Sequence, residues 1–525
     1  MHILNFKIDN SFLENLPADE NLENNRRQVF NACYSVVFPK KPKSGKLIHL
    51  SDDLCTELDL SNEEINDEFF RKILIGEEIF PNTKPFSMCY GGHQFGHWAG
   101  QLGDGRAINL FELINEKNNR WTLQLKGAGK TPYSRNADGL AVLRSSIREH
   151  LCSEAMFHLG VPTTRSLSLS LSGDEVLRDI LYNGNAEFEK GAIVCRVAPS
   201  FIRFGNFEIF SARKDLINLK KLADYTIQYF YPEILKTGKE KYVDFFKTVC
   251  QKTLEMIVEW QRVGFVHGVM NTDNMSILGL SIDFGPFGFL ENYDENWTPN
   301  TTDAQGKRYA FGKQAQVAFW NLIQLANALF PLIEEAPLLE NELHLFNKNY
   351  NLAYQKMMLQ KLGIENIDEN SILLIENLKE NLSKSETDFT IFFRLLADVI
   401  KNDTPELAFK KIEFSFYNLT ENTNETKANW MIWFENYLSH IKQENQTDEE
   451  RKKKMNLVNP KFIFRNYIAQ LAIDEANQEN YLIIDELYKL LKHPYDEQPE
   501  SEKWFAKRPD WAKNKVGCSM LSCSS

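Results

Sequence analysis

Two oxygen-bearing side chains, Asn274 and Asp283, define what chemistry is open to residues 266–288, VHGVMNTDNMSILGLSIDFGPFG. They bracket the aliphatic run 277–282, which reads as a short strand in a tight hairpin with an amide oxygen at one end and a carboxylate at the other. Two hard oxygen donors in that arrangement suit Mg²⁺ bridging nucleotide phosphates. Asp273, next to Asn274, is placed to accept a hydroxyl proton or to hold metal through water; its alternative is a loop-capping aspartate. His267 is expected to hydrogen-bond backbone rather than move protons. A helix must feed this loop, because Val243, Phe246, Val249, Cys250, Leu254, Ile257 and Trp260 recur at helical spacing before Gly264 stops it.

A histidine-led loop ending in Asn, followed by Asp283-Phe284-Gly285, looks like the metal-binding half of a protein-kinase-like site. Counting back from Asn274, the position where such kinases carry the aspartate that accepts the substrate proton is Val269, which cannot accept one. The metal ligands are kept and the usual base is missing.

Upstream elements would supply the phosphate contacts. The stretch 85–113 holds Gly91, Gly92, Gly96, Gly100, Gly103 and Gly105, which let the backbone bend sharply and approach a ligand. Gly103-Asp104-Gly105-Arg106 precedes a strand-like run, so its amides offer a phosphate-binding concavity to which Arg106 adds charge; a structural turn is the alternative. Residues 121–125 alternate as a half-buried strand ending at Lys126. A helix over 139–159 carries Leu143, Ile147, Leu151, Ala155 and His158 on one stripe and stops at Gly160 and Pro162. Glu149 and Glu154 on it are candidate partners for Lys126, with Glu149 preferred. Arg196, inside the strand-like run 193–197, is costly to bury without an anion. Internal salt bridges and phosphate contacts are both open for Arg196 and Arg203.

Composition bounds the class. A chain of 525 residues, 43% hydrophobic and 25% charged, can bury a large core in two or three structural units. A net charge of -12 argues against nucleic-acid binding. The clusters 40–43 and 451–454 read as solvated basic surface. The start shows no signal or transit peptide, and Asn321, Gln324 and Asn327 interrupt the most apolar helix, so no membrane span and a cytoplasmic location are expected. Eight cysteines without a C-x-x-C pair indicate neither a disulfide framework nor a zinc site; Cys33, Cys55, Cys89, Cys152, Cys195 and Cys250 should be buried thiols. His93 and His97 have no cysteine near them at ligand spacing. From about Ala315 onward helices dominate, including one expected over 462–476; they wrap the preceding lobe or form a separate interaction domain.

YGGHQFGHWAGQLGDGR, LKGAGKTPYSR, RVAPSFIRFG, HGVMNTDNMS and DFGPFGF together resemble the selenoprotein O family of kinase-like protein adenylyltransferases. These blocks span 90–289, and the C-terminal tail is also similar. The resemblance implies an α+β, bilobed protein-kinase-like fold: an N-terminal extension over 1–80, an N-lobe over 81–205, a C-lobe over 206–345 and a helical extension with a cysteine-containing tail over 346–525. It implies ATP bound inverted relative to ordinary kinases, with Mg²⁺ or Mn²⁺, and AMP transfer to Ser, Thr or Tyr hydroxyls of protein partners. The family's phosphate-contacting positions fall on Gly103, Gly105 and Arg106, its strand lysine on Lys126 and its helix glutamate on Glu149. Further nucleotide contacts match Asp138, Gly139, Arg196 and Arg203, the metal ligands match Asn274 and Asp283, and the proton acceptor matches Asp273.

Turning the nucleotide around would place the β- and γ-phosphates deep, where Arg106, Arg196, Arg203 and Lys126 can offset their charge. A phosphotransferase using Asp273 as base and a silent nucleotide-binding scaffold are the rival functions. Nothing in the sequence reads the base, so UTP is an alternative nucleotide. The tail, KNKVGCSMLSCSS, is expected to be too small and polar to pack, leaving Cys523 as an accessible thiol or an inert end. No cysteine lies between Cys250 and Cys518, so a disulfide from the segment after Asp283 to the tail is unavailable.

Overall fold

A computed structural model describes residues 4, 6–180, 183–418, 424–518 and 520–522. Period-two alternation explains its central element. In β11 (Glu187–Ala198), Ile193, Cys195 and Val197 join one buried cluster, while Ala192, Val194 and Ala198 join another on the opposite face. In β8 (Arg120–Lys126), Leu123 and Leu125 belong to the first cluster, which turns Gln124 and Lys126 toward the second face. The two strands pair antiparallel with Val194 opposite Lys126 and Arg196 opposite Gln124. Three polar side chains therefore emerge side by side on one face of the sheet.

Among the described residues the sheet has nine antiparallel strands, and the fold is α+β. Its main path runs β2 (Tyr34–Val36), β4 (Phe86–Met88), β7 (Ala107–Ile114), β8, β11, β10 (Arg165–Arg178), β3 (Lys46–Leu50). The short β1 (Ile8–Asp9) adds to β7, and β9 (Ala141–Val142) adds to β11. The first 80 residues thus share the sheet with the segment that follows. The glycine-rich stretch expected as loop instead forms a hairpin, β5 (Gly91–Gln94) with β6 (His97–Gln101).

The helix Leu143–His158 follows β9 directly, and nearly all of it is buried, more than a single apolar stripe requires. Ile147 and Leu151 pack in the same cluster as Leu169, Ala192 and Val194. The helix Gly238–Val263 ends at Gly264 in a left-handed conformation, as the sequence predicts. The apolar stretch Phe311–Ile333, which contains the helix Gln314–Ile333, is long and apolar enough to cross a membrane; half of it is buried, with Asn321 and Gln314 fully so. One continuous buried cluster joins these helices to those between 336 and 492.

Several expectations are corrected. Residues 277–282 form no hairpin strand: Ile277 N–H donates to Ile202 O and Ser281 N–H to Pro162 O, so the segment is stitched to other loops. The short ribbon lies outside it, β12 (Phe265–Val266) pairing with β13 (Gly288–Phe289). Arg451 is not solvated surface; it is fully buried and donates to Val399 O and Tyr437 Oη. The helix expected from 462 begins at Asn466. The tail also packs: Cys518 and Leu521 are buried, and Leu521 exchanges backbone hydrogen bonds with Pro299 and Thr301 at 3.1 and 2.8 Å. Cys523 lies outside the described residues.

Glu112, on β7, is buried with only the Phe12 N–H at 3.2 Å and the Thr122 hydroxyl to offset its desolvation, and burial pushes its carboxyl up to about 7. The folded protein holds that proton where the unfolded chain releases it, so the group's contribution is full below the ordinary carboxylate range and is lost as pH rises to about 7. Replacing Glu112 by Gln should raise the melting temperature by a few degrees at about pH 8 and leave it nearly unchanged at about pH 5, the difference reaching on the order of 3 kcal/mol. Thermal melts at the two pH values check it.

Candidate active site

Lys126 ends β8, and its Nζ lies 2.7 Å from Glu149 Oε2 and 3.7 Å from Asp283 Oδ1. Arg196 Nη1 reaches Asp283 Oδ1 at 2.5 Å and Glu149 Oε1 at 3.2 Å, and its Nη2 donates to Gln124. Arg203, at the start of the helix Phe204–Ala212, reaches Asp283 Oδ2 at 2.5 Å through Nη1, which also donates to Asp273 O at 2.8 Å. Glu149 is the partner that the sequence reading preferred. Glu154 serves elsewhere, pairing with Arg165 at 2.6 Å.

Asp283 adopts a left-handed backbone, φ 56°, which aims its carboxylate back at these cations. Burial would raise its pKa, but Arg203, Arg196 and Lys126 hold it well below the usual carboxylate range. Burial lowers Lys126, with Glu149 and Asp283 acting against it. Arg203 stays firmly charged: burial disfavours its cation, and Tyr90, Asp283 and Asp104 more than compensate.

These groups lie at a cleft of about 670 Å³. Gly103, Gly105, Arg106, Lys126, Asp138, Gly139, Arg196, Asp273, Asn274 and Asp283 all face it, whereas Glu149 and Arg203 sit behind it. At Gly103, φ is 83° and a Cβ would stand 2.4 Å from the Tyr133 ring, so only glycine lets the two segments close up. Asp138 accepts two hydrogen bonds from Arg178, both 2.8 Å. Although burial raises its pKa, the bonds from Arg178 and Leu140 N–H bring it below the ordinary value.

Asp273 and Asn274 lie in a short 3₁₀ turn, Thr272–Asn274. Asp273 Oδ2 accepts from Gln94 Nε2 at 3.2 Å, and Oδ1 is buried with no hydrogen-bond partner among the described residues. Burial pushes this carboxyl up to about 6, with Arg203 and the Gln94 bond opposing. Asn274 Nδ2 donates to Val269 O at 2.9 Å, which leaves its amide oxygen as the atom for a ligand. Asn274 and Asp283 are hard oxygen donors on one cleft wall, a donor set that fits Mg²⁺ or Mn²⁺ completed by phosphate oxygens. His267 Nε2 donates to Ile282 O at 2.8 Å, the backbone role expected of it.

A family model described as protein adenylyltransferase SelO matches residues 18–493. The chain belongs to the SelO family. Its relatives include the protein nucleotidyltransferase YdiU of Flavobacterium johnsoniae, 61% identical over 99% of this chain and 100% of that protein. YdiU proteins of Aromatoleum aromaticum and Rhodopirellula baltica are each 49% identical, over 99% of this chain and 100% and 99% of theirs. The SelO match encloses every cleft residue named above.

Several supporting residues escaped the sequence reading. Gln124 was within reach of it, since the alternation that exposes Lys126 on one face exposes Gln124 beside it. Gln314 donates to Phe265 O and accepts from His267 N–H, and Asn321 donates to Met270 O. Of the polar residues that interrupt the apolar helix, Asn321 therefore holds the loop that carries Asp273, together with Gln314 at the helix start. Gln94 and Arg178 gave no local signal, because their partners lie 179 and 40 residues away.

Replacing Asp283 by Ala removes the shared counter-charge of three buried cations. The folded protein should lose roughly 3–5 kcal/mol, and added pyrophosphate should raise the variant's melting temperature more than the parent's. Thermal melts with and without pyrophosphate provide the check.

Proposed function

We propose that this protein transfers AMP from ATP to Ser, Thr or Tyr hydroxyls of other proteins, on a bilobed protein-kinase-like scaffold with the nucleotide inverted. The observation that carries the reading is the convergence of Lys126, Arg196 and Arg203 on Asp283 at the cleft wall, beside a loop with Val269 where a kinase base would stand. Such a cluster is suited to a leaving pyrophosphate, whose charge grows as the bond from the α-phosphorus breaks. The sheet with its lysine strand, and the helix whose glutamate pairs with that lysine, support the kinase-like scaffold.

In this reading Gly103, Gly105 and Arg106 approach the phosphates from the glycine segment, and Lys126 and Arg196, backed by Arg203 from behind the cleft wall, hold the two terminal ones. Asp138, fixed by Arg178, and Gly139 line the nucleotide's path. Asn274 and Asp283 would hold Mg²⁺ or Mn²⁺, which when bound neutralises phosphate charge as a Lewis acid. Asp273 takes the acceptor's proton as the hydroxyl oxygen bonds to the α-phosphorus, and pyrophosphate leaves with the electron pair of the broken P–O bond. The buried, unpartnered Oδ1 of Asp273 supports this assignment, since an unpaired carboxylate oxygen is a ready acceptor.

Incubating the protein with ATP labelled at the α- or the γ-phosphate tests the reading. Label from the α-position should appear on protein and label from the γ-position in released pyrophosphate; γ-label on protein would mean phosphoryl transfer, and no label on protein a scaffold. Asp273→Asn should lower kcat about 10²- to 10⁴-fold with nucleotide affinity changed less than about twofold.

A further inference from the structure

Beside the cleft lies a second concavity of about 350 Å³, which shares Leu102, Tyr133 and Arg135 with it and is otherwise walled chiefly by Arg26, Arg27 and Gln101. Its three arginines differ. Arg27 is consumed internally, bound to Asp19 at 2.6 Å and to the Asn21 and Asn25 carbonyl oxygens. Arg26 meets only the neutral amide oxygen of Asn136, and Arg135 has no ion pair or hydrogen bond of its side chain among the described residues. The nearby Glu23 accepts from Asn25 Nδ2 at 2.9 Å. Two exposed guanidinium groups thus face a concavity next to the nucleotide cleft, on a chain of net charge -12.

The platform that presents them is rigid. Thr131 Oγ1 donates to Asp104 O at 2.7 Å, Thr131 N–H donates to Ser134 Oγ at 2.8 Å and Ser134 Oγ donates to Gly105 O, which ties the Arg135 loop to the glycine segment. The Arg26 segment is tied in turn, Asn24 Nδ2 donating to Lys130 O at 2.8 Å and Gln101 Nε2 to Arg27 O at 2.9 Å. Arg135 is held at φ 53°, a left-handed conformation that costs a non-glycine residue about 1 kcal/mol. Nothing in its packing explains that strain, since the side chain is exposed and unpaired.

We propose that this annex recognises carboxylates of the acceptor protein, so that preferred acceptors carry Asp or Glu beside the modified hydroxyl. The inference rests on the transfer reading above. A pair of exposed, planar guanidinium groups suits carboxylates two-point fashion. Their continuity with the cleft puts an acceptor's flanking residues within reach while its hydroxyl enters. The terminal phosphates have their own cations, buried around Asp283. The net charge of -12 repels an acidic partner at long range, so the annex also orients its approach.

Binding of two labelled serine peptides, one flanked by Asp and Glu and the other by Asn and Gln, decides the matter by fluorescence anisotropy. The full chain is used with Mg²⁺ and an ATP analogue whose α,β-bridge cannot be cleaved. The acidic peptide should bind ~10-fold tighter, the advantage should shrink as salt is raised, and it should fall toward one in Arg26→Glu and in Arg135→Glu. Equal binding of the two peptides, or a preference that survives both substitutions, overturns the proposal. Nucleotide affinity measured on the same variants separates the alternatives: a loss there equal to the loss for the acidic peptide would assign the arginines to the nucleotide and equally overturn it. Because binding is read without turnover, a chain that shows the preference but transfers no AMP would sink the transfer reading alone.

Discussion

The carboxylate of Asp283 is the constraint on which the site depends. It meets Lys126 from the end of β8, Arg196 from β11 and Arg203 from the head of the next helix, and so joins three segments of chain that would otherwise repel. Taking such ions out of water costs several kcal/mol each, recovered only when geometry and hydrogen bonding are good. Within direct ion-pair distance, three cations face two carboxylates, Asp283 and Glu149. A polyphosphate is the kind of anion that such a group of cations suits.

Everything around that carboxylate reads as a means of fixing it. Sheet register brings Lys126, Gln124 and Arg196 to one face, and the helix Leu143–His158 supplies Glu149 from above. The same helix carries Arg148, whose guanidinium stacks on Phe287 at 4.3 Å and donates to its carbonyl oxygen at 2.7 Å, coupling Glu149 to the segment after Asp283. On the far side Gln314 and Asn321 hold the loop of Asp273 and Asn274 through its backbone. The tail closes the assembly by hydrogen-bonding residues 299 and 301.

How much of this the sequence disclosed follows from the range of the interactions. Helix ends at Gly264, the strand ending in Lys126 and the choice of Glu149 were legible, because periodicity and punctuation act over a few residues. The hairpin of β5 and β6 was hidden by its glycines, which read as loop, and the strand expected over 277–282 was lost to competing partners at Pro162 and Ile202. Arg451 and the tail misled for one reason: local polarity suggested solvent, whereas carbonyl oxygens and side chains far along the chain satisfied the polar groups inside. Contacts such as Gln94 with Asp273 cross the molecule and leave no local trace.

The central claim is that the cations gathered on Asp283 grip the two terminal phosphates and leave the α-phosphorus facing the acceptor. A crystal structure with Mg²⁺ and an uncleavable α,β-bridged ATP analogue tests it most directly. The account predicts the β- and γ-phosphates against Lys126 and Arg196, with Arg203 behind them and the α-phosphorus nearest Asp273. An adenine seated deep between sheet and helices, with the γ-phosphate outermost beside Asp273, would contradict it.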